Sequence, residues 1–141
     1  LSLEKVAHVL YHESGLLGVS GVSADPPVLL AQQDRQDATG ERIRAALALY
    51  IRRIVREIGA LTAVLGGLDM LVFTAGIGEH SAELRQRICA ELGFIGPVLD
   101  AEANARNASR ISTDASRIVV GVEPANEEWV AARHAALAVG A

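Results

Sequence analysis

The sequence contains very little cysteine, lysine or aromatic side chain. Cys89 is the single cysteine among 141 residues, so no disulfide can form within the chain, and a reducing cytoplasm is the compartment we expect. In an apolar helical context, this thiol is expected to be a small buried hydrophobe rather than a nucleophile. Lys5 is the single lysine, and although twelve arginines accompany it, 17 acidic residues give the chain a net charge of −4. Because this balance leaves no net positive field, we expect no nucleic-acid partner.

Long uninterrupted hydrophobic runs are also missing. Residues 59–78 carry Asp69 as their single charge and together are long enough to suggest a membrane span. Four glycines interrupt this stretch, however, and a charge near the middle of a span is costly. We therefore expect no membrane partner and interpret the stretch as a helix end, a short strand and a turn. The chain begins at Leu1 without a basic leader, which predicts no targeting segment and suggests a mature piece or a fragment.

Half of the residues are hydrophobic and 21% are charged, which is the composition of a folded globular unit. The length fits one core and excludes two domains with a cleft between them. We expect a short first helix that begins after Ser2 and ends at Gly15. Residues 14–27 are rich in glycine, serine and proline, and the sequence Asp25-Pro26-Pro27 predicts an irregular loop without helix.

The rest of the chain alternates helical and strand patterns. Apolar residues spaced by three or four predict a long amphipathic helix over 40–65, and a helix around 84–92 with Gly93 as its left-handed cap. Near-continuous apolar runs at 68–73 and 117–122 predict two strands buried on both faces, as in a parallel sheet. Residues 97–107 are expected to be irregular, and Asn126 is expected to cap a last helix. The fold class is α/β.

A sheet of two strands buried on both faces is incomplete, because two strands alone are marginally stable. The simplest explanation is that neighbouring strands lie in sequence outside this chain. We therefore expect the chain to be the C-terminal part of a larger α/β domain.

The glycine-rich segment 73–81, between a predicted strand and a helix, is the first candidate site. Gly76 and Gly78 would let the backbone approach a ligand closely and present amide groups to it, as nucleotide sites do. The segment is neither a Walker loop nor a dinucleotide fingerprint, since Ser81 stands where the third glycine of the latter belongs. The alternative is a tight strand-to-helix turn without a ligand.

The second candidate site is acidic and follows the second predicted strand. Glu123, Glu127 and Glu128 would lie at the carboxyl edge of the sheet, where ligands bind in open α/β folds, and a carboxylate there could hold Mg²⁺. The alternative is ordinary helix capping, because carboxylates in a first turn interact well with the helix dipole.

Five segments of the chain, in this order, resemble the acetate kinase family. They are SGLLGVSG (14–21), FTAGIGE (73–79) followed by His-Ser, ELGFIG (91–96), ISTD.SR (111–117) and P.NEE (124–128). The resemblance implies that residues 1–141 are the C-terminal portion of the second, nucleotide-binding domain of an acetate or propionate kinase, without its N-terminal domain. It also implies a ribonuclease-H-like fold, shared with actin, sugar kinases and the Hsp70 ATPase domain.

The same resemblance implies roles for individual residues. Segment 76–80 matches the motif that holds the adenosine of ATP or ADP, and its members are Gly76, Ile77, Gly78, Glu79 and His80; the family usually has Asn at the last position. Glu127 matches the residue that binds Mg²⁺, with Glu128 as its neighbour. Asp25 matches the start of a nucleotide-contacting Asp-Met-Arg tripeptide, which here reads Asp25-Pro26-Pro27.

The activity implied is reversible phosphoryl transfer from ATP to acetate, with a homodimer as the expected assembly. The phosphate-binding loop, substrate arginines, catalytic aspartate and transition-state histidine of the family match nothing in this chain. No catalytic residue is therefore expected in it, and the chain should be inactive alone. His8, His12, His80 and His134 match none of these positions either, and each is expected to have a surface or packing role. Two alternatives remain open: propionate or butyrate kinase activity, and a non-catalytic nucleotide-binding or scaffold module.

Overall fold

The computed structural model describes residues 2–139, and within this range the chain forms eight helices and two strands. In chain order they are α1 (Leu3–His12), α2 (Gly15–Ser20), α3 (Pro26–Leu30), α4 (Ala38–Leu65), β1 (Met70–Phe73), α5 (Ala75–His80), α6 (Ala82–Glu91), α7 (Ala101–Ala105), β2 (Val119–Val122) and α8 (Glu127–Ala138). None of the described helices combines the length and apolar character that crossing a bilayer requires.

The long helix predicted over 40–65 is confirmed as α4. The Asp37 side chain caps its first turn by accepting a hydrogen bond from the Gly40 amide at 2.8 Å. Gly66 ends it in the left-handed conformation with φ of 75°. Its buried side chains pack against α2 and α3 at one end and against α6 further along.

The irregular loop predicted over 14–27 is wrong, because two short helices occupy this region. Gly15, with φ of 62°, is the first residue of α2, and Gly21, with φ of 67°, ends this helix. Pro26 and Pro27 occupy the first turn of α3 instead of excluding helix. Amides in a first helical turn have no partner within the helix, so proline fits there without loss of a hydrogen bond.

The two predicted strands are confirmed and pair in parallel. Met70 lies opposite Val119 and Phe73 opposite Val122, and the Glu123 amide donates to the Phe73 carbonyl at 2.9 Å. Both strands therefore end at the same edge of the sheet, which we call the carboxyl edge.

Burial on both faces is confirmed for β2 but is wrong for β1. Phe73 is buried, whereas Met70 and Val72 are 53% and 46% exposed. Successive side chains of a strand point to opposite faces, and α4 and α6 contribute to the core on the Phe73 side only. In the described part of the chain, the other face of β1 is uncovered.

The main core lies between the sheet, α4 and α6. Its buried members are Ile51, Phe73, Leu84, Ile88, Cys89, Leu92, Ile111, Ile118, Val120 and Val122. The burial expected for Cys89 is confirmed, since its side chain is only 4% exposed. A smaller cluster of Leu29, Ile43, Ala46 and Leu47 joins α3 to α4.

Two predictions in the region after α6 are wrong. Gly93 is not the left-handed residue, because the chain continues from Leu92 in a turn closed by the Ile95 amide on the Leu92 carbonyl at 2.9 Å. The reversal comes later, at Gly96, with φ of 84°. The segment 97–107 is not wholly irregular either, because α7 forms within it after the Asp100 side chain caps its first turn.

Candidate functional site

The carboxyl edge carries α5 after β1 and α8 after β2. The glycine-rich turn predicted over 73–81 is wrong in its local structure, because residues 75–80 form a short helix. Gly76 and Gly78 have ordinary negative φ angles, so they do not interrupt the helix, and the left-handed residue is Ala75 with φ of 59°. Gly78 packs closely on the end of β1, since a Cβ there would lie 3.4 Å from the Phe73 carbonyl carbon, in van der Waals contact with it.

The two predicted motifs meet in one cavity of about 340 Å³, which we call the α5–α8 cavity. Its lining residues are Ala75, Gly76, Glu79 and His80 from α5, and Ala125, Asn126, Glu127 and Glu128 from the start of α8. A side chain added at Gly76 would meet nothing within 4 Å, so the backbone there is open to an approaching group. A volume above about 300 Å³ is in the range of small-molecule sites.

Glu79 joins the two sides of this cavity. Its Oε1 atom accepts a hydrogen bond from the Ala125 amide at 2.7 Å. This contact fixes α5 against the segment that leads from β2 into α8. One oxygen of the Glu79 carboxylate is therefore engaged in holding the cavity together.

The capping role predicted for Asn126 is only partly confirmed. Asn126 occupies the N-cap position of α8, but its side chain makes no capping hydrogen bond. Glu127 and Glu128 lie in the first turn, where the helix dipole favours their negative charge. Both are exposed at the cavity, so their carboxylates are open to a ligand.

The carboxylates of the cavity suit a metal ion that is held jointly by the protein and a bound phosphate. They do not form a site in which protein side chains supply all the ligands. Across residues 2–139, no group of three or more His, Cys, Asp or Glu side chains is arranged to hold a metal ion. Mg²⁺ commonly binds one or two carboxylates, completing its shell with water and substrate phosphate oxygens. Glu127 fits this mode as a single carboxylate contact.

A second, more apolar cavity of about 530 Å³ lies between α3 and α5, and we call it the α3–α5 cavity. Its lining residues are Pro27, Leu30, Gly76, Ile77, His80 and Ser81. Gly76 and His80 line both cavities, so α5 forms a ridge between them. Asp25 precedes α3 as an exposed N-cap residue and is not among the lining residues. The structure thus places Pro27, rather than Asp25, against α5.

The residues of the predicted 76–80 motif divide between surfaces. Gly76, Glu79 and His80 line the α5–α8 cavity. Ile77 and Gly78 do not; they line a third cavity beneath α5, together with Phe73 and Tyr50. His80 is exposed, and so are the three other histidines, as expected.

Sequence reasoning missed Arg85, the largest fully buried side chain of the described chain. Its guanidinium donates to the carbonyls of Gly78 and Glu79, both at 2.8 Å, from beneath α5. Burial lowers the pKa of this guanidinium and raises the pKa of the neighbouring Cys89 thiol to about 11. The Cys89 thiol is therefore protonated at neutral pH, which leaves it a poor nucleophile.

Comparisons with known proteins agree with the motifs. A model of the acetokinase family matches residues 1–133. The acetate kinase of Rhodopseudomonas palustris (strain TIE-1) is 45% identical over 136 residues, which cover 95% of this chain and 33% of that protein. The acetate kinase of Halothermothrix orenii is also 45% identical, over 141 residues that cover 96% of this chain and 34% of that protein.

Solved structures show the same relationship. The acetate kinase from Entamoeba histolytica superposes with a TM-score of 0.88 at 31% identity, covering 96% of this chain and 37% of that one. A propionate kinase from Francisella tularensis superposes with a TM-score of 0.81 at 27% identity. The match covers 91% of this chain and 32% of that one. The chain thus spans about a third of the length of the curated relatives it matches. With this α/β fold and a family match over almost its whole length, the chain belongs to the acetokinase family.

Proposed function

We propose that this chain supplies the nucleotide-binding wall of an acetate kinase, which transfers a phosphoryl group reversibly between ATP and acetate. The observation that carries the proposal is the α5–α8 cavity, in which Gly76, Glu79 and His80 of the segment 76–80 line one space with Glu127. The resemblance to the acetate kinase family implies the same ligand, Mg·ATP, for both. Membership of the acetokinase family supports the same activity.

The proposed reaction needs positioning and charge neutralisation more than covalent chemistry by the protein. A carboxylate oxygen of acetate forms a bond to the γ-phosphorus, the bond from that phosphorus to the bridging oxygen breaks, and ADP leaves with the electron pair. When bound, Mg²⁺ would neutralise charge on the phosphates. This chain contributes the surface of α5 for adenosine and the Glu127 carboxylate for the ion, and we assign no catalytic residue to it.

The chain is proposed to be inactive alone and to bind nucleotide weakly. Both cavities beside α5 are open, so a bound nucleotide would bury only one side against this wall. Because affinity depends on the surface removed from water, we expect a dissociation constant for ADP weaker than about 100 μM. The homodimer and the cytoplasmic location expected from the sequence remain predictions.

Titration of the ¹⁵N-labelled chain with ADP, with and without Mg²⁺, tests this proposal. Amide signals of residues 75–80 and 126–128 should shift, and Mg²⁺ should strengthen the response. Glu127→Ala should remove the strengthening by Mg²⁺, whereas Glu123→Ala, which changes a carboxylate outside the cavity lining, should keep it. The absence of any ADP response, or binding in the low micromolar range by the chain alone, would contradict the proposal.

The activity itself can be measured in a chimera in which this chain replaces the matching third of the Rhodopseudomonas palustris acetate kinase. The chimera should form acetyl phosphate from ATP and acetate, detected as its hydroxamate, and the chain alone should form none. Glu127→Ala in the chimera should lower turnover roughly 100-fold, the size of effect seen when one charge-stabilising group is removed. Unchanged turnover would leave the two glutamates with a capping role only.

Two other functions have a specific observation in their favour. The likeness to the Francisella tularensis propionate kinase supports propionate, or the related butyrate, as the acyl substrate. The presence of Pro26 and Pro27 in place of the family's methionine and arginine supports a non-catalytic nucleotide-binding or scaffold module. Comparison of acetate, propionate and butyrate as substrates in an assembled enzyme distinguishes the first alternative, and a chimera inactive with all three favours the second.

A further inference from the structure

Arg85 is a buried cation whose hydrogen bonds go only to uncharged oxygens. Its side chain is 0% exposed. Nε donates to Asn104 Oδ1 at 2.7 Å, and one terminal nitrogen donates to the carbonyls of Gly78 and Glu79, both at 2.8 Å. The other terminal nitrogen donates to the Asn104 carbonyl and to Asn107 Oδ1, both at 2.6 Å. All five N–H groups of the guanidinium are thus used.

This arrangement is costly unless the guanidinium has a specific task. A charge removed from water without a counter-ion is strongly disfavoured, and an apolar side chain of similar size would fill the same core position without that cost. What an apolar side chain cannot do is bond five oxygens in fixed directions. Lysine cannot do so either, since it has three donors and no planar fork.

The oxygens that Arg85 holds belong to α5 and to α7 with the segment just after it. Two are carbonyls near the end of α5, where the backbone of a helix carries partial negative charge. The others belong to Asn104 and Asn107, in and just after α7, and Asn107 is itself in the left-handed conformation with φ of 53°. The Asn104 side chain also donates to the Ala82 carbonyl at the start of α6, at 2.9 Å. Arg85 therefore fixes α5 relative to α6 and α7.

The helix α5 depends on such support because it is short and begins at a strained residue. It has six residues, and Ala75 at its first position has φ of 59°. A helix of this length does not hold its position by its own hydrogen bonds. Ile77 packs against the main core, and two hydrogen-bonding groups anchor the helix further: the Arg85 guanidinium from below and the Glu79 carboxylate, which accepts from the Ala125 amide.

We infer that Arg85 is a positioning residue for nucleotide: it sets the place of α5, and through it the backbone at Gly76 and the Glu79 side chain, without touching the ligand. The role of Arg85 in nucleotide binding rests on the proposed function, whereas its role in placing α5 does not. It follows that substitution of Arg85 should weaken nucleotide binding through a displaced or mobile α5, beyond any effect of lower global stability.

The test uses the 141-residue chain and measures amide hydrogen exchange together with ADP titration. The main variant is Arg85→Lys, which keeps the charge but loses the five-donor fork. The control is Ile111→Ala, which removes a fully buried side chain of the same core on the segment before β2 and makes no change at α5. The two variants are compared at urea concentrations that give them equal stability.

In Arg85→Lys, exchange of the amides at 76–81 should accelerate at least about tenfold more than in Ile111→Ala. The dissociation constant for ADP should rise at least about fivefold, against less than about twofold in the control. Asn107→Gly, which keeps the left-handed backbone and removes one acceptor, should change both measurements in the same direction but less. It provides the test if Arg85→Lys does not fold.

The outcomes separate this inference from the proposed function. Equal exchange at 76–81 in variant and control would overturn the inference, and so would faster exchange with unchanged ADP affinity, because Arg85 would then be purely structural. If the unmodified chain shows no ADP response, the proposed function fails, while selective exchange at 76–81 would still establish that Arg85 places α5.

Discussion

Replacement of Ala75 by glycine should stabilise the chain, although glycine usually weakens a helix. Ala75 opens α5 with φ of 59°, in the left-handed region that L-residues with a Cβ disfavour. The contact between Cβ and the following carbonyl costs about 1–2 kcal/mol there. Glycine removes this contact, but its greater freedom in the unfolded chain costs about 0.5–1 kcal/mol. Because Ala75 is exposed, loss of its methyl group removes little packing.

The net expectation is a gain of roughly 0.5–1 kcal/mol in the free energy of unfolding, which raises Tm by about 2–4 °C for a chain of this size. Thermal unfolding followed by circular dichroism, together with urea titration, measures both quantities. A matched control is Ala45→Gly, since Ala45 is also exposed but lies inside α4. The control should lose about 1 kcal/mol, as glycine does in an exposed helix interior.

Opposite signs for these two substitutions would show that the strain at Ala75 exists in solution. A loss of stability in Ala75→Gly similar to that in Ala45→Gly would refute the reasoning, because it would mean that Ala75 has ordinary helical geometry. The result bears on function, since strained residues persist where the surrounding structure holds them, and they concentrate at ligand sites.

Two further predictions concern stability. Burial raises the pKa of Cys89 to about 11, whereas a thiol in the unfolded chain ionises near pH 8.5, so stability should fall as pH rises from about 9 to 11. Urea titrations at pH 8 and 10.5 should show a smaller loss in Cys89→Ala than in the unmodified chain, and equal losses would contradict the burial effect. Gly96→Ala should destabilise the chain by about 1–2 kcal/mol, because φ is 84° and the new Cβ would lie 2.6 Å from Arg117 Cδ, whereas Gly93→Ala should be nearly neutral. Equal losses of stability at the two glycines, measured by urea titration, would contradict the assignment of the left-handed residue after α6 to Gly96 rather than Gly93.

Elements whose sequence pattern is long or strongly apolar could be predicted from the sequence. The helix α4 repeats its apolar spacing over seven turns and has Gly66 at its end, so local preferences and packing agree. The strands β1 and β2 are dense in apolar residues, which fit a parallel pair, although only β2 is buried on both faces. The meeting of segment 76–80 with Glu127 was predictable too, because parallel strands end at one edge.

Short glycine- or proline-rich segments could not be assigned in this way. In 14–27 and 73–81, glycine and proline permit turns but do not require them. Gly76 and Gly78 take ordinary helical φ angles, and Pro26 and Pro27 stand in a first turn, where a missing amide hydrogen costs nothing. The decision between turn and helix comes from packing against α4 and α6, which no local pattern contains.

Arg85 was missed for a related reason. Its spacing from Cys89 and Leu92 places it on the buried face of α6, a signal that is readable from the sequence. Its acceptors, however, lie at Asn104 and Asn107 in a segment expected to be irregular. A buried arginine without an acidic partner can be recognised only when those oxygens are located in three dimensions.

The geometry of α3 changes the meaning of the departure at Pro26 and Pro27. From the sequence alone, two prolines suggest a disrupted backbone and therefore a damaged site. In the structure they begin a regular helix, Pro26 is buried, and Pro27 lines the apolar α3–α5 cavity opposite Ile77. The departure thus alters the chemistry of one cavity wall without preventing a regular helix from forming there. A pyrrolidine ring offers apolar contact but no hydrogen-bond donor. If nucleotide binds on this side of α5 as proposed, we therefore expect its selectivity to come from shape and from His80 and Ser81, the polar side chains of that lining.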